Sequence, residues 1–224
     1  MSARDVILNK VRGALKPQAG DTSRAALVAE RLGKAPKGII PARGQLPDAE
    51  RAALFCKMAE KLSATVEHVA SHDAVPAAAA AYLRDRNLPA SLRMGSDARL
   101  DAMPWDQQGA LQVRKGASDG SDEAGLSHAT AAIAETGTLV MVSGTDNPTT
   151  INFLPEHHIV VVDAADIDGD LEAALAKIRT RYGKGQMPRT LNLISGPSRS
   201  GDVEQKIILG AHGPRALHII VVGG

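Results

Sequence analysis

Cysteine and aromatic residues are scarce in this sequence. Cys56 is the only cysteine among 224 residues, and the aromatic side chains are two Phe, two Tyr and one Trp. One thiol cannot close an internal disulfide or supply the thiolates of an iron–sulfur cluster or a multi-cysteine zinc site. With so few aromatics, a platform that stacks nucleic acid bases is not expected. Cys56 stands in an apolar helical context, which predicts a buried and inert thiol.

Long apolar runs are also missing, and charge is distributed unevenly. No signal-peptide pattern opens the chain and no run of about eighteen apolar residues occurs, so the sequence predicts a cytoplasmic protein without a membrane span. Residues 1–45 carry nine Lys and Arg against three Asp and Glu. This basic arm could contact an acidic partner, although a solvated helix and linker explain the same charges.

The sequence predicts an N-terminal arm over residues 1–47 and a compact domain over residues 48–224. The arm is expected to contain one short helix, then a connector rich in Pro and Gly with a brief helical stretch at Ala25–Leu32. Asp48 is expected to be the N-cap of a helix over Ala49–Leu62. The apolar face of the first helix is formed by Val6, Leu8, Val11 and Leu15.

Strand and helix patterns alternate through the compact domain. Strand-like apolar runs occur at Thr65–Val69, Ser91–Met94, Leu111–Val113, Thr138–Val142, Ile159–Val162, Leu191–Ile194 and Leu217–Val222. Helical patterns occur at Pro76–Arg86, Leu171–Tyr182 and Asp202–Leu209. Continuous apolar strands separated by helices indicate an α/β fold: a doubly wound, mostly parallel sheet with helices on both faces.

The densest group of polar and turn residues lies in residues 195–214. Leu191–Ile194 is expected to be a parallel strand whose carboxyl end delivers the chain to a ligand site, as in other open α/β sheets. Glycine-proline turns at Gly196 and Gly213 bound the segment. A helix is expected to start near Asp202 and to present free N–H groups to an anion.

Donors for such an anion stand just before that helix. Ser198 and Ser200 offer hydroxyls and Arg199 offers a guanidinium, which suits a phosphate or carboxylate. The same residues also suit helix capping, with Asp202 in the first turn. Both interpretations stay open at the level of the sequence.

Two residues are candidates for acid–base chemistry. His212 lies in a loop between a predicted helix and strand, where an imidazole can exchange a proton near neutral pH. Glu135 precedes the strongest strand and stands beside Gly137, which permits close backbone approach. The alternative is that His212 is a hydrogen-bonded turn residue and Glu135 a solvated one.

The histidines and aspartates show no spacing typical of metal ligands. The sequence therefore predicts no metal site. His157 and His158 are adjacent, and would point in different directions on a strand. The aspartates of residues 163–170 lack the glutamate of an EF-hand loop and are expected in a solvated connection. The remaining histidines without ligand-like spacing are His68, His72, His128 and His218.

Four blocks resemble the lactate-utilisation protein C family of the LUD-domain superfamily. They are Ala134–Val140 (AETGTLV), Leu154–Val162 (LP, two residues, then HIVVV), Gly196–Glu204 (GPSRSGDVE) and Gly210–Pro214 (GAHGP). Ser200-Gly201 stands where that family usually has Thr-Ala. The order and spacing of the blocks make the resemblance specific, and the architecture fits over residues 48–224.

The resemblance implies a fold like that of ribose-phosphate isomerase and the CoA transferases. It also implies a role as the non-iron–sulfur subunit of a bacterial system that oxidises L-lactate to pyruvate. Iron–sulfur clusters are then expected in partner proteins, with no cofactor in this chain. In this hypothesis Arg199 binds the lactate carboxylate, and His212 or Glu135 takes the hydroxyl proton.

Two other functions stay open. One is a stand-alone enzyme or binding protein for a phosphorylated or acyl substrate, as in other members of the fold. The second is a docking module that uses the basic arm. The sequence does not decide whether the chain is catalytic by itself or forms a homo-oligomer.

Overall fold

The computed structural model describes residues 2–15, 21–34, 36–183, 185–203 and 206–223. Helices lie at Ala3–Leu15 (α1), Thr22–Lys34 (α2), Asp48–Lys61 (α3), Val75–Asp85 (α4), Ala98–Asp101 (α5), Thr149–Phe153 (α6) and Leu171–Tyr182 (α7). Strands lie at Thr65–Val69 (β1), Ser91–Met94 (β2), Gln112–Lys115 (β3), Ala124–His128 (β4), Ala131–Ile133 (β5), Thr138–Val142 (β6), His157–Asp163 (β7), Ile167–Asp168 (β8), Leu191–Ile194 (β9), Arg199–Val203 (β10), Lys206–Leu209 (β11) and Ala216–Val222 (β12).

The chain divides into two compact units, Met1–Gly38 and Ile39–Gly224. The first unit contains α1 and α2, and neither helix buries any of its described residues. Residues 39–47, part of the predicted connector, lie in the second unit. The backbone of Gly44 approaches Gly169 so closely that a side chain on either glycine would overlap the other's carbonyl oxygen. Gln45 Nε2 donates to Asp170 Oδ2 at 2.8 Å, which ties this stretch to the start of α7.

Six parallel strands form the central sheet, in the order β1-β12-β7-β4-β2-β3. Side chains of β7 alternate between two apolar clusters: Val160 and Val162 lie on one face, and Ile159 and Val161 on the other. A strand buried on both faces needs apolar residues at every position, which explains the continuous run in the sequence. The predicted α/β fold with a mostly parallel sheet is confirmed.

Different elements cover the two faces of this sheet. Helix α4 covers one face with Val75, Ala79 and Leu83. The other face is covered by α3, which inserts Phe55, and by a second sheet in the order β8-β5-β6-β9. Helix α7 packs on the far side of that second sheet. The sequence had predicted helices on both faces, and one face is shared between a helix and this additional sheet.

Two predicted elements near the candidate segment are wrong in placement or type. Strand β9 has the predicted bounds, but it pairs antiparallel with β6 in the second sheet and is not part of the parallel sheet. The helix predicted over Asp202–Leu209 is a β-hairpin of β10 and β11. Val203, Ile207 and Ile208 are β-branched, and such residues favour strands over helices.

Smaller details follow the sequence more closely. The N-cap of α3 is Pro47, one residue before the predicted Asp48, which lies in the first turn and accepts a hydrogen bond from Arg51. Cys56 is buried as expected, and burial raises the pKa of its thiol to about 11. Among the described helices, none combines the length and apolarity needed to cross a bilayer.

Candidate functional site

A cavity of about 280 Å³ is lined by residues 152–153, 158, 193–199, 212–214 and 217. We call it the amino-edge pocket, because it lies where the parallel strands begin. His158 is the second residue of β7 and Leu217 the second residue of β12. These neighbouring strands are parallel, so both start at the same edge of the sheet. The sequence had predicted a site at the carboxyl edge, and the antiparallel course of β9 explains the difference.

Ser198 joins the two loops that bound the pocket. Its N–H donates to the Pro214 carbonyl at 2.8 Å, and its own carbonyl accepts from the Gly210 N–H at 3.0 Å. The His212 N–H donates to Ser198 Oγ at 3.2 Å. The Ser198 hydroxyl rotates, so its hydrogen is able to donate to a ligand while the oxygen accepts from His212.

Arg199 is held at the carboxyl end of α3. Its Nη2 donates to the Leu62 carbonyl and, at 2.7 Å, to Ser63 Oγ. The Leu62 carbonyl also abuts Gly196, where a side chain would overlap it and where φ is +78°. Arg199 therefore lines the pocket with its guanidinium engaged at the end of a helix, whereas the sequence had predicted that it binds a carboxylate.

Three buried polar side chains form a connected group beside the pocket. Ser127 Oγ donates to Asn152 Oδ1 at 3.1 Å and lies 3.1 Å from His158 Nε2. Because the Ser127 hydrogen is used toward Asn152, this network assigns the proton of His158 to Nε2. His158 Nδ1 and Asn152 Nδ2 are buried without a hydrogen bond to any described residue.

Burial keeps the His158 imidazole neutral. It lowers the pKa of His158 to about 3, so the ring carries no charge at neutral pH. His158 and Asn152 both line the pocket, and each carries one buried polar atom that makes no hydrogen bond to a described residue: an acceptor, His158 Nδ1, and a donor, Asn152 Nδ2. Unsatisfied polar atoms are rare in protein interiors, and a ligand hydroxyl can satisfy both kinds at once.

Glu135 lies outside the pocket lining. Its carboxylate is buried with Oε2 3.5 Å from Arg43 Nε, and its N–H donates to the Gly169 carbonyl at 3.2 Å. The neighbouring Gly137 has φ +65° and abuts the backbone of α3, so the close approach expected there is observed. A chain of hydroxyls at 2.7 Å separations runs from this turn to the pocket through Thr136, Thr138 and Ser195.

The family model of the LUD domain matches residues 52–222, most of the chain. The chain belongs to the LUD domain family. Strands β1 to β12, the amino-edge pocket and both of its bounding loops fall inside this match.

Curated relatives are similar in sequence to part of this LUD domain. "Lactate utilization protein C" of Shouchella clausii is 31% identical over 100 residues, 44% of this chain and 44% of that protein. "Lactate utilization protein C" of Geobacillus sp. (strain WCH70) is 35% identical over 99 residues, 44% of this chain and 41% of that protein. The chain therefore matches less than half the length of these curated relatives.

A solved structure supports the fold. The crystal structure of a DUF162 family protein from Deinococcus radiodurans superimposes with a TM-score of 0.60 at 22% identity, over 80% of this chain and 99% of that one. At this identity the likeness concerns the fold alone.

The LUD domain brings five of the predicted site residues to one pocket and leaves two outside it. Those in the lining are Gly196, Ser198, Arg199, His212 and Gly213. Those outside it are Glu135 and Ser200. The side chain of Asp202 lies outside the described part of the structure. Ser200 pairs with Ile208 in the hairpin, and no helix begins at Asp202, so the expected N-terminal anion site does not form.

Sequence reasoning missed the buried polar group. His158 was considered only as a metal ligand, whereas Asn152 and Ser127 were not considered. The available signal was a polar residue inside or next to an otherwise apolar strand, as at Ser127 in β4 and His158 in β7. Such residues require a partner when buried.

Proposed function

We propose that this LUD domain serves lactate utilisation by binding a small 2-hydroxy carboxylate in the amino-edge pocket. The observation that carries the proposal is the pair of unsatisfied buried atoms, His158 Nδ1 and Asn152 Nδ2, on two residues that line a small cavity. The names of the relatives from Shouchella clausii and Geobacillus sp. support the choice of lactate among such acids.

The size of the pocket favours a small ligand. At about 280 Å³ it lies at the lower end of ligand pockets, roughly 300–1,000 Å³. A three-carbon acid fits such a volume, whereas a whole dinucleotide or CoA does not. If the protein is instead a stand-alone enzyme for a phosphorylated or acyl substrate, only the reactive end of that substrate would fit inside the pocket.

Each polar group of a 2-hydroxy acid finds a complementary group. The hydroxyl donates to His158 Nδ1 and accepts from Asn152 Nδ2. The carboxylate accepts from Ser198 and from His212, which stand on the facing loops. Hydrogen bonds to a charged carboxylate are stronger than neutral ones, so these two loop residues supply orientation as well as affinity.

Electron transfer is assigned to other proteins in this proposal. Oxidation of lactate to pyruvate releases two electrons and two protons, and a chain with one buried cysteine has no ligand set for an iron–sulfur cluster. We therefore assign the electrons to iron–sulfur partner proteins and the holding of the carboxylate to this domain. Arg199, engaged with α3, positions the loop that carries Ser198.

Calorimetric titration of L-lactate into the full chain tests the binding step. Asn152→Asp replaces an unpaired donor with an acceptor beside the ligand, so we expect at least tenfold weaker binding, about 1.4 kcal/mol. Asn192→Asp is the matched control, because Asn192 lies on β9 outside the lining, and its affinity should stay within about twofold. Equal affinities in both variants would contradict the assignment.

Two further measurements separate the rival functions. Binding of inorganic phosphate or an acyl thioester without binding of L-lactate or pyruvate would favour the stand-alone enzyme. A strain lacking the gene should grow poorly on L-lactate, and pull-down of the full chain should recover cysteine-rich proteins. Normal growth on L-lactate would overturn the role in lactate utilisation.

A further inference from the structure

Three potential metal ligands meet at the opposite edge of the parallel sheet. His128 is the last residue of β4, Asp163 is the last residue of the adjacent strand β7, and His72 follows β1. One ligand atom from each residue lies within 4.8 Å of the others. We call these three residues the carboxyl-edge cluster.

The His128 ring is oriented as in metal-binding histidines. Its Nδ1 lies 2.9 Å from the Ala129 carbonyl, and a carbonyl only accepts, so Nδ1 carries the proton. Nε2 then presents a lone pair. Histidine ligands usually donate their other ring N–H to a carbonyl or carboxylate, which fixes the ring and raises its basicity.

That lone pair faces a carboxylate. His128 Nε2 is buried and makes no hydrogen bond to any described residue, although Asp163 Oδ2 lies 3.2 Å away. The His128 side chain is 0% exposed. The Asp163 side chain is 23% exposed, whereas the lone pair on His128 Nε2 is cut off from water and repels the carboxylate oxygen unless a cation lies between or beside them. A metal ion bound by both residues satisfies this requirement.

His72 supplies the third potential ligand atom. Its Nε2 lies 2.7 Å from Asp163 Oδ1, so two imidazoles converge on one carboxylate. Its side chain is 46% exposed, which gives an ion a path to the buried ligands. The two rings are stacked with centroids 6.3 Å apart.

We propose that the carboxyl-edge cluster binds a divalent transition-metal ion such as Zn²⁺. Bonds of about 2.1 Å in a tetrahedral site place ligand atoms about 3.4 Å apart, so the observed separations need only small side-chain rotations. Two imidazoles and one carboxylate leave the fourth position for water or a ligand. The adjacent cation, Arg99, is paired with Asp97 at 2.7 Å, which reduces its repulsion of the metal.

This site does not depend on the proposed lactate function. It uses none of the residues of the amino-edge pocket. Asp163 stands five positions after His158 on β7, about 17 Å along an extended strand.

Zinc titration into the untagged full chain, stripped with EDTA, tests the proposal. We expect one saturable site, seen by calorimetry and as a rise in thermal midpoint, with a Co²⁺ derivative that shows visible d–d absorption. His72→Ala and Asp163→Asn should each weaken Zn²⁺ binding at least tenfold. His68→Ala is the matched control, since His68 contacts Cys56 and is not part of the cluster.

Several outcomes would overturn the site. They are the absence of saturable binding, unchanged affinity in both His72→Ala and Asp163→Asn, and loss of binding in His68→Ala. The last result would place the metal at Cys56 and His68. If Asp163→Asn fails to fold, His72→Ala still decides, because that side chain is half exposed and its truncation leaves the core intact.

Discussion

At the amino-terminal edge of the parallel sheet, loops from two sheets meet around Ser198, His212 and His158. At the carboxyl-terminal edge, His128 and Asp163 are themselves the last residues of adjacent strands. The first site is assembled from neighbouring turns and includes one histidine, His158, that burial keeps neutral. The second is assembled from residues far apart in sequence and includes histidines that face a carboxylate. One strand, β7, contributes to both.

The two sites differ in how far apart their residues lie in the sequence, and this decides which of them can be recognised from the sequence. The pocket loops lie within about twenty residues of each other, so they attract attention as a motif. The carboxyl-edge cluster has no such compactness, since strand order alone brings β4 beside β7 and the segment after β1 into reach. Changes at one edge therefore test the comparison, and a response at the other edge would break it.

The largest expected effect is acid destabilisation that originates at the amino edge. Burial lowers the pKa of His158 to about 3 and of His218 to about 4, with Arg86 adding to the effect at His218. Below about pH 6.5 these histidines bind protons in the unfolded chain, whereas in the folded chain they stay neutral until the pH reaches their lowered pKa values. Their contribution to the free energy of unfolding is therefore fully present above about pH 6.5. It falls toward pH 4 by up to about 1.4 kcal/mol per pH unit for each histidine.

Urea denaturation at a series of pH values measures this loss. Burial also lowers the pKa of His157, so His218→Gln removes one of three such groups and should make the profile less steep between pH 6.5 and 4. A profile that is already flat in the unchanged protein would show that these histidines are not kept neutral.

Gly196→Ala should destabilise the pocket loop by about 3 kcal/mol. The new side chain meets both a left-handed backbone conformation and the Leu62 carbonyl. Chemical denaturation gives the free energy of unfolding. Gly201→Ala is the matched control, because no heavy atom lies within 4 Å of its Cβ position, and it should change stability by less than about 0.5 kcal/mol. Similar losses in both variants would refute the close packing of the loop on α3.

Arg199→Ala should cost about 1–2 kcal/mol of stability. It removes two hydrogen bonds from a charged donor to the carboxyl end of α3. Arg215→Ala provides the comparison, because it breaks only an exposed ion pair with Glu156 at 2.9 Å and should cost less than about 1 kcal/mol. Thermal or urea unfolding of the two variants side by side decides whether Arg199 has the structural role.

The smallest expected effect is that of a substitution at one edge on ligand affinity at the other edge. His72→Ala should leave the L-lactate affinity within about twofold, and Asn152→Asp should do the same for Zn²⁺, since distant sites act additively. Calorimetry with both variants and both ligands measures this. A change of tenfold or more in either direction would show that β7 couples the two sites.

Sequence patterns predicted the helices and strands whose own residues determine their conformation. β1, β6 and α7 have the predicted bounds, because β-branched residues and a capped helical period mark them clearly. β2 and β9 also have the predicted bounds, although only Ile194 of β9 is β-branched. Strand β4 was missed, since Ala124–His128 contains no β-branched residue and is buried by its neighbours. The five-residue helix α6, which carries Asn152, was missed because its packing on Gly125 decides its position.

The candidate site was predicted in part. The loops with Ser198, Arg199 and His212 form a pocket, as their turn residues and donors suggested. Their edge of the sheet was wrong, because an antiparallel partner for β9 cannot be recognised from a four-residue apolar run. The anion site at Asp202 was wrong as well, since hairpin pairing replaced the helix on which it depended.

The packing of Gly44 on Gly169 and the bond from Gln45 to Asp170 bear on where this domain can be cut. A shortened chain that starts at residue 48 would expose Asp170, now only 5% exposed, and would remove its amide partner from the start of α7. A start at residue 39 keeps both contacts. The shortest independently folding fragment should therefore begin several residues before the first long helix of the domain. Limited proteolysis should leave a fragment that starts near residue 39.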